Sequence, residues 1–158
     1  MRGARQLVDL LRAKQDNDKS LGQHFLISDS LIADSIDYAE VTNTDHVLEI
    51  GPGPGVLTEV LLNSGCKVTA IEIDGGAVNH LEKIFHDAIK NQQLTIQKGD
   101  ALQENWPNDI TKVVANIPYQ ISSPLIERLT RQLRGVWREN LSKVVLLVQE
   151  EFAERLVM

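Results

Sequence analysis

His46-Val47-Leu48-Glu49-Ile50-Gly51-Pro52-Gly53-Pro54-Gly55 runs a pentapeptide built on Val47, Leu48 and Ile50 straight into a turn of three glycines and two prolines. The pentapeptide reads as a buried strand, and behind the turn Val56, Leu57, Val60 and Leu61 recur on one helical face. The same alternation repeats downstream. Residues 67–74 form a second strand, followed by a helix with Leu81, Ile84, Phe85 and Ala88 inward. Residues 94–98 make a third strand that ends in Gly99-Asp100, residues 112–115 a fourth, and residues 143–149 a fifth. Upstream, Ser28 is a helix N-cap before Leu31, Ile32, Ile36 and Ala39, which keep helical spacing. Strands that are nearly all apolar, alternating with helices, predict an α/β fold. Its sheet is mainly parallel and covered by helices on both faces.

The glycine turn sits where a nucleotide-binding turn belongs, between the first strand and the first helix after it. Counting a dinucleotide fingerprint from Gly51 places the third glycine at Val56, which fails, and no Gly-Lys-Ser/Thr follows to make a phosphate-cradling loop. What remains is G-x-G-x-G after the acidic Glu49. Bare backbone at Gly51, Gly53 and Gly55 suits close approach by a ligand with an adenosine and no pyrophosphate. S-adenosylmethionine is such a ligand. Glu72 stands twenty-one positions after Gly51, placed to accept from both ribose hydroxyls. Asp100, at the end of the third strand, can accept from the adenine amino group. Ile73 and Ala101, their neighbours, complete this side of the candidate cofactor set.

A second turn, Asn116-Ile117-Pro118-Tyr119, follows the fourth strand. It offers a side-chain amide at Asn116, a free carbonyl at Ile117, a rigid bend at Pro118 and an aromatic face at Tyr119. These groups suit a flat base with an exocyclic amine: the ring stacks on it and two acceptors take its two N–H donors. Taken alone, the tetrapeptide is an ordinary tight turn. At the carboxyl edge of an open sheet, next to a nucleoside turn, it reads as the target site. Ser123 and Pro124 then suit the N-cap and first position of a helix.

With these pieces in order, the chain resembles the ribosomal RNA adenine dimethyltransferases. The matching segments are Gly22-Gln23-His24-Phe25-Leu26, residues 49–55, Glu72, Gly99-Asp100, residues 116–124 and Gln149-Glu150-Glu151-Phe152-Ala153-Glu154-Arg155. Gln120 after the Tyr is more like archaeal and eukaryotic members. The resemblance implies a Rossmann-like class I methyltransferase that makes N6,N6-dimethyladenosine in small-subunit ribosomal RNA during ribosome assembly. Gln23, His24 and Leu26 would line the methionine end of the cofactor, above Gly51 and Gly53, and Asn116 belongs to both cofactor and target sets. The alternatives are a large-subunit RNA or DNA adenine methylase, or a non-catalytic assembly or transcription factor on the same fold.

The remaining 158-residue composition is ordinary for one domain, 42% hydrophobic and 24% charged, with a formal net charge of −6. Residues 1–20 read as a basic arm and residues 21–158 as the catalytic domain. No secretory signal and no ~20-residue apolar run appears, so the expected site of action is the cytoplasm, without a membrane. The lone Cys66 excludes an internal disulfide and reads as buried filler. His24, His46, His80 and His86 show no metal-ligand spacing, so no metal is expected. A monomer is expected. Arg128, Arg131, Arg134 and Arg138 recur at helical spacing, a candidate phosphate-facing stripe or a solvated helix face. The ending at Met158, in what reads as the start of a helix, looks like a fragment without closing strands or the family's helical C-terminal domain.

Overall fold

A computed structural model describes residues 29–116 and 122–147, with side chains from residues 34 and 123 onward in the two segments. In chain order the elements are α1 (Asp29–Ala39), β1 (His46–Ile50), α2 (Val56–Asn63), β2 (Lys67–Glu72), α3 (Gly75–Ile84), α4 (His86–Lys90), β3 (Leu94–Lys98), β4 (Lys112–Asn116), α5 (Ser122–Arg134) and β5 (Lys143–Leu147). The five strands form one sheet in the order β3-β2-β1-β4-β5, and every pairing is parallel. Registers run straight across: Ile50 lies opposite Ile71 on one side and Ala115 on the other.

Handedness explains the layers. From β1 the chain winds outward through β2 to β3, then returns to β4 and winds the other way to β5. Right-handed crossovers in opposite directions put their helices on opposite faces. One face accordingly packs Leu57 and Leu61 of α2, Leu81 of α3, Phe85 and Ala39 against Val47, Val68, Ala70 and Val114. The other packs Leu125 and Leu129 of α5 with Trp106 and Trp137 against Leu48, Ile50, Ile71, Val113 and Ala115. Every residue of β1 is buried, which is why that strand carries no solvent-facing alternation. The edge strand β3 is less covered: Thr95 and Lys98 are exposed.

Among the described residues the structure differs locally from the sequence reading: β2 ends at Glu72, and Asp74 is the N-cap of α3, its side chain accepting from the Gly76 and Ala77 N–H groups. The helix expected to continue through Ala88 is broken at Phe85, which leaves helical geometry at φ −113° and ψ 27° and keeps its ring in the core. Helix α5 starts at Ser122, so Pro124 is its third residue. It still lies in the first turn, where a missing N–H costs no intrahelical bond. Asn116 belongs to β4 and pairs with Leu147.

At the amino end of the sheet, the buried Lys112 donates to the carbonyls of Ala39 and Glu40 at 2.7 and 3.0 Å. An ammonium there meets the negative end of α1. Cys66 is buried, its thiol donating to the Leu61 carbonyl.

Candidate active site at the carboxyl edge of the sheet

The strand order reverses between β1 and β4, and there the glycine turn meets Asn116, the last residue of β4. Gly51 has φ +73°, and a Cβ built on it would stand 2.6 Å from the Asn116 carbonyl oxygen. Only a residue without a side chain lets the cofactor turn approach β4 this closely. Gly55 has φ +95° and no room either, since Phe85 and Leu81 close over it. Gly53 also has positive φ. The turn is braced from below. The Gly51 N–H donates to the Ile71 carbonyl, and the fully buried His80 of α3 donates from Nε2 to the Pro54 carbonyl at 3.0 Å.

Glu72, the last residue of β2, is 4% exposed. Its carboxylate accepts the Gly53 N–H on Oε1 and the Asp74 N–H on Oε2, each at 3.0 Å. It thus holds the middle of the glycine turn. Burial pushes its carboxyl above the usual range, against the backbone N–H groups of Asp74 and Gly53 that favour the charge. Beside it Ile73 is 48% exposed, a large apolar side chain open at the edge where ligands enter.

Glu49 is a different kind of acid. It is buried in β1 beneath α2, where the Thr58 hydroxyl donates to Oε1 at 2.5 Å. Burial drives its carboxyl up to about 8; Thr58 opposes the shift and the charge of Glu72 adds to it. Glu49 therefore carries a proton at neutral pH and ties β1 to α2 through Thr58. Folding takes up that proton between the ordinary value of 4.5 and about 8. Its contribution to stability is fully present below 4.5 and is lost as pH rises toward 8. Glu49→Gln keeps an acceptor for Thr58 and removes the titration. Its melting temperature should gain on wild type steadily across that window, and parallel curves would refute the assignment.

Asp100 lies two residues beyond β3 and not at its end. Its side chain accepts the Leu102 N–H at 2.9 Å and its carbonyl accepts from Gln103 and Glu104, which fixes a tight loop. Ala101 is buried in that loop. The arginine stripe is corrected in one member. At about 100° per residue, Arg128 lies about 60° round α5 from the buried Leu125, whereas Arg131 lies about 120° and Arg134 about 180° away. Arg128 accordingly turns inward to the Ala101 and Glu104 carbonyls. Arg131, Arg134 and Arg138 are exposed.

The structure thus brings together Glu49, Gly51, Gly53, Gly55, Glu72, Ile73, Asp100, Ala101 and Asn116 along one edge. Gln23, His24, Leu26, Ile117, Pro118 and Tyr119 lie outside the described residues. Thr58, His80 and Arg128 brace the site and carry no motif of their own. A parallel sheet in this order, with its glycine turn at the reversal, is the fold of the Rossmann-like methyltransferases. The model of one family, ribosomal RNA adenine dimethylase, matches residues 14–158, and the chain belongs to that family.

Among curated relatives, a probable ribosomal RNA small subunit methyltransferase A of Methanopyrus kandleri is 42% identical over 139 residues, 88% of this chain and 46% of the relative. A ribosomal RNA small subunit methyltransferase A of Synechococcus is 41% identical over 87% of this chain and 51% of its own length. A crystal structure of a dimethyladenosine transferase from Plasmodium falciparum superposes with a TM-score of 0.71 at 35% identity, covering 85% of this chain and 46% of that one. The chain therefore spans about half the length of the curated relatives it matches.

Proposed function

We propose that the chain uses S-adenosylmethionine to dimethylate adenine N6 in small-subunit ribosomal RNA during ribosome assembly. The observation that carries this reading is the close approach of Gly51 to the Asn116 backbone, which brings the glycine turn beside the residue read as an acceptor for the target amine. The family and the names of the relatives support it. The residues suit the cofactor. Glu72 offers a carboxylate to ribose hydroxyls, exposed Ile73 an apolar face to adenine, and Asp100 an acceptor to its amino group. Gln23, His24 and Leu26 would line the methionine end.

When bound, S-adenosylmethionine supplies a methyl group on a cationic sulfur. The chain's own part is positioning. An adenine amine is a poor nucleophile because its lone pair is delocalised into the ring. Two acceptors, the Asn116 side-chain oxygen and the Ile117 carbonyl, hold both N–H bonds and favour a pyramidal nitrogen aimed at the methyl. Pro118 fixes the bend and Tyr119 stacks on a base extruded from its surroundings. Holding the reactants in line supplies much of the rate. Arg131, Arg134 and Arg138 face solvent, and among the described residues no ion pair engages them. They are suited to phosphates, which offsets the overall negative charge locally. The chain would work as a monomer in the cytoplasm. It draws on no metal, since its histidines lack ligand spacing.

Calorimetry tests the cofactor directly. S-adenosylmethionine or its demethylated product should bind while NAD gives no heat. Glu72→Ala should weaken the complex by about 1–3 kcal/mol, the usual cost of leaving hydroxyl donors without a charged acceptor. NAD binding as tight as the methyl donor would overturn the assignment.

A further inference from the structure

We infer that Arg128 is a positioning residue that sets adenine specificity in the cofactor site from the far side of the Asp100 loop. This rests on the reading of Asp100 as the acceptor for the adenine amino group. Three side chains from α5 and the turn after it, or from the loop itself, converge on the loop's carbonyls. The Arg128 guanidinium donates from one nitrogen to the Ala101 carbonyl and from the other to the Glu104 carbonyl, the latter at 2.6 Å. Trp106 donates its indole N–H to the same Ala101 carbonyl at 3.1 Å. The indole N–H of Trp137 reaches the Pro107 carbonyl at 2.8 Å.

The planar groups are layered as well. The guanidinium carbon stands 3.8 Å from the Trp106 ring centre, and that ring stacks on Trp137 with centroids 5.3 Å apart and planes 13° from parallel. These are the only two tryptophans of the chain, and both are spent on this stack. Fork-shaped donation to two carbonyls while lying flat on an aromatic face is a task lysine cannot reproduce.

The consequence falls on Asp100. Its carboxylate is oriented by the Leu102 N–H, and its carbonyl by Gln103 and Glu104, so its place depends on the loop keeping its shape. Arg128 fixes the two carbonyls on either side of those bonds. A carboxylate held still accepts from an exocyclic amine and repels a carbonyl oxygen in the same position. One held loosely does neither well. Helix α5 is also the next described element after Asn116, so the same side chain ties the Asp100 loop to the helix that follows the proposed target residue in the chain.

The test compares S-adenosylhomocysteine with its deaminated analogue, S-inosylhomocysteine, by calorimetry on the whole 158-residue chain. Wild type should prefer the adenosyl compound. Arg128→Met should cut that preference about tenfold, the effect of losing one charged hydrogen bond's worth of positioning. A purely structural role would lower the melting temperature and leave the ratio alone. A folded Arg128→Met with the wild-type ratio therefore overturns the inference. Should that variant not fold, Arg128→Lys keeps the charge with only part of the fork and should show an intermediate loss; an unchanged ratio there overturns it equally. If wild type binds neither compound, the methyl-donor reading itself fails, and this inference falls with it.

Discussion

Asn116→Ala is expected to lower single-turnover methylation of small-subunit RNA by about 10²–10³, the common cost of removing one preorganised electrostatic partner. Cofactor affinity should barely change. The part of Asn116 that touches the cofactor turn is its backbone carbonyl, against Gly51, and truncating the side chain leaves that carbonyl in place. Its position as the last residue of β4, paired with Leu147, should hold the backbone course after substitution. The variant should therefore melt like wild type, bind the cofactor like wild type and fail at chemistry. A near-normal rate in a folded protein would make the turn scaffolding.

Gly51→Ala should damage both halves of the site at once. Its φ of +73° already costs an alanine roughly 1–2 kcal/mol. The new Cβ would stand 2.6 Å from the Asn116 carbonyl oxygen, so backbone must move on one side or the other. We expect a total loss of at least about 2 kcal/mol, or a melting temperature lower by about 4–8 °C. Cofactor affinity and methylation rate should fall together. Gly65→Ala is the matched control. Its φ is +86°, but its neighbour is the Asn43 side chain, at the other end of α2. It should lose stability and keep cofactor affinity. Equal affinities in the two variants would show that Gly51 has no special place in the site.

Much of this was legible in the residues because the signals are local. A mostly apolar pentapeptide before three glycines reads as a buried strand feeding a tight turn, and the structure places β1 and that turn there. Counting from Gly51 found Glu72 because the strand–helix–strand unit has a nearly fixed length. What the sequence hid is what depends on through-space partners. Glu49 looked like a ligand-facing acid. Its pairing with Thr58 on the next helix is a through-space contact that no spacing announces. Phe85 kept helical spacing, yet the pocket over Gly55 pulls it out of the helix. Arg128 shared a repeat with three solvent-facing arginines; its angle to Leu125 turns it inward, but the tryptophan stack it lies on is assembled through space. No local periodicity encodes a carbonyl that waits twenty-seven residues away.

The central claim is methyl transfer to adenine N6 at the junction of the two turns. Its most direct test is to incubate small-subunit ribosomal RNA with the chain and methyl-labelled S-adenosylmethionine, digest the RNA, and identify the labelled nucleoside by mass spectrometry. The account predicts N6,N6-dimethyladenosine, present with wild type and absent with Asn116→Ala. Label on any other base, or equal label with both proteins, would contradict it.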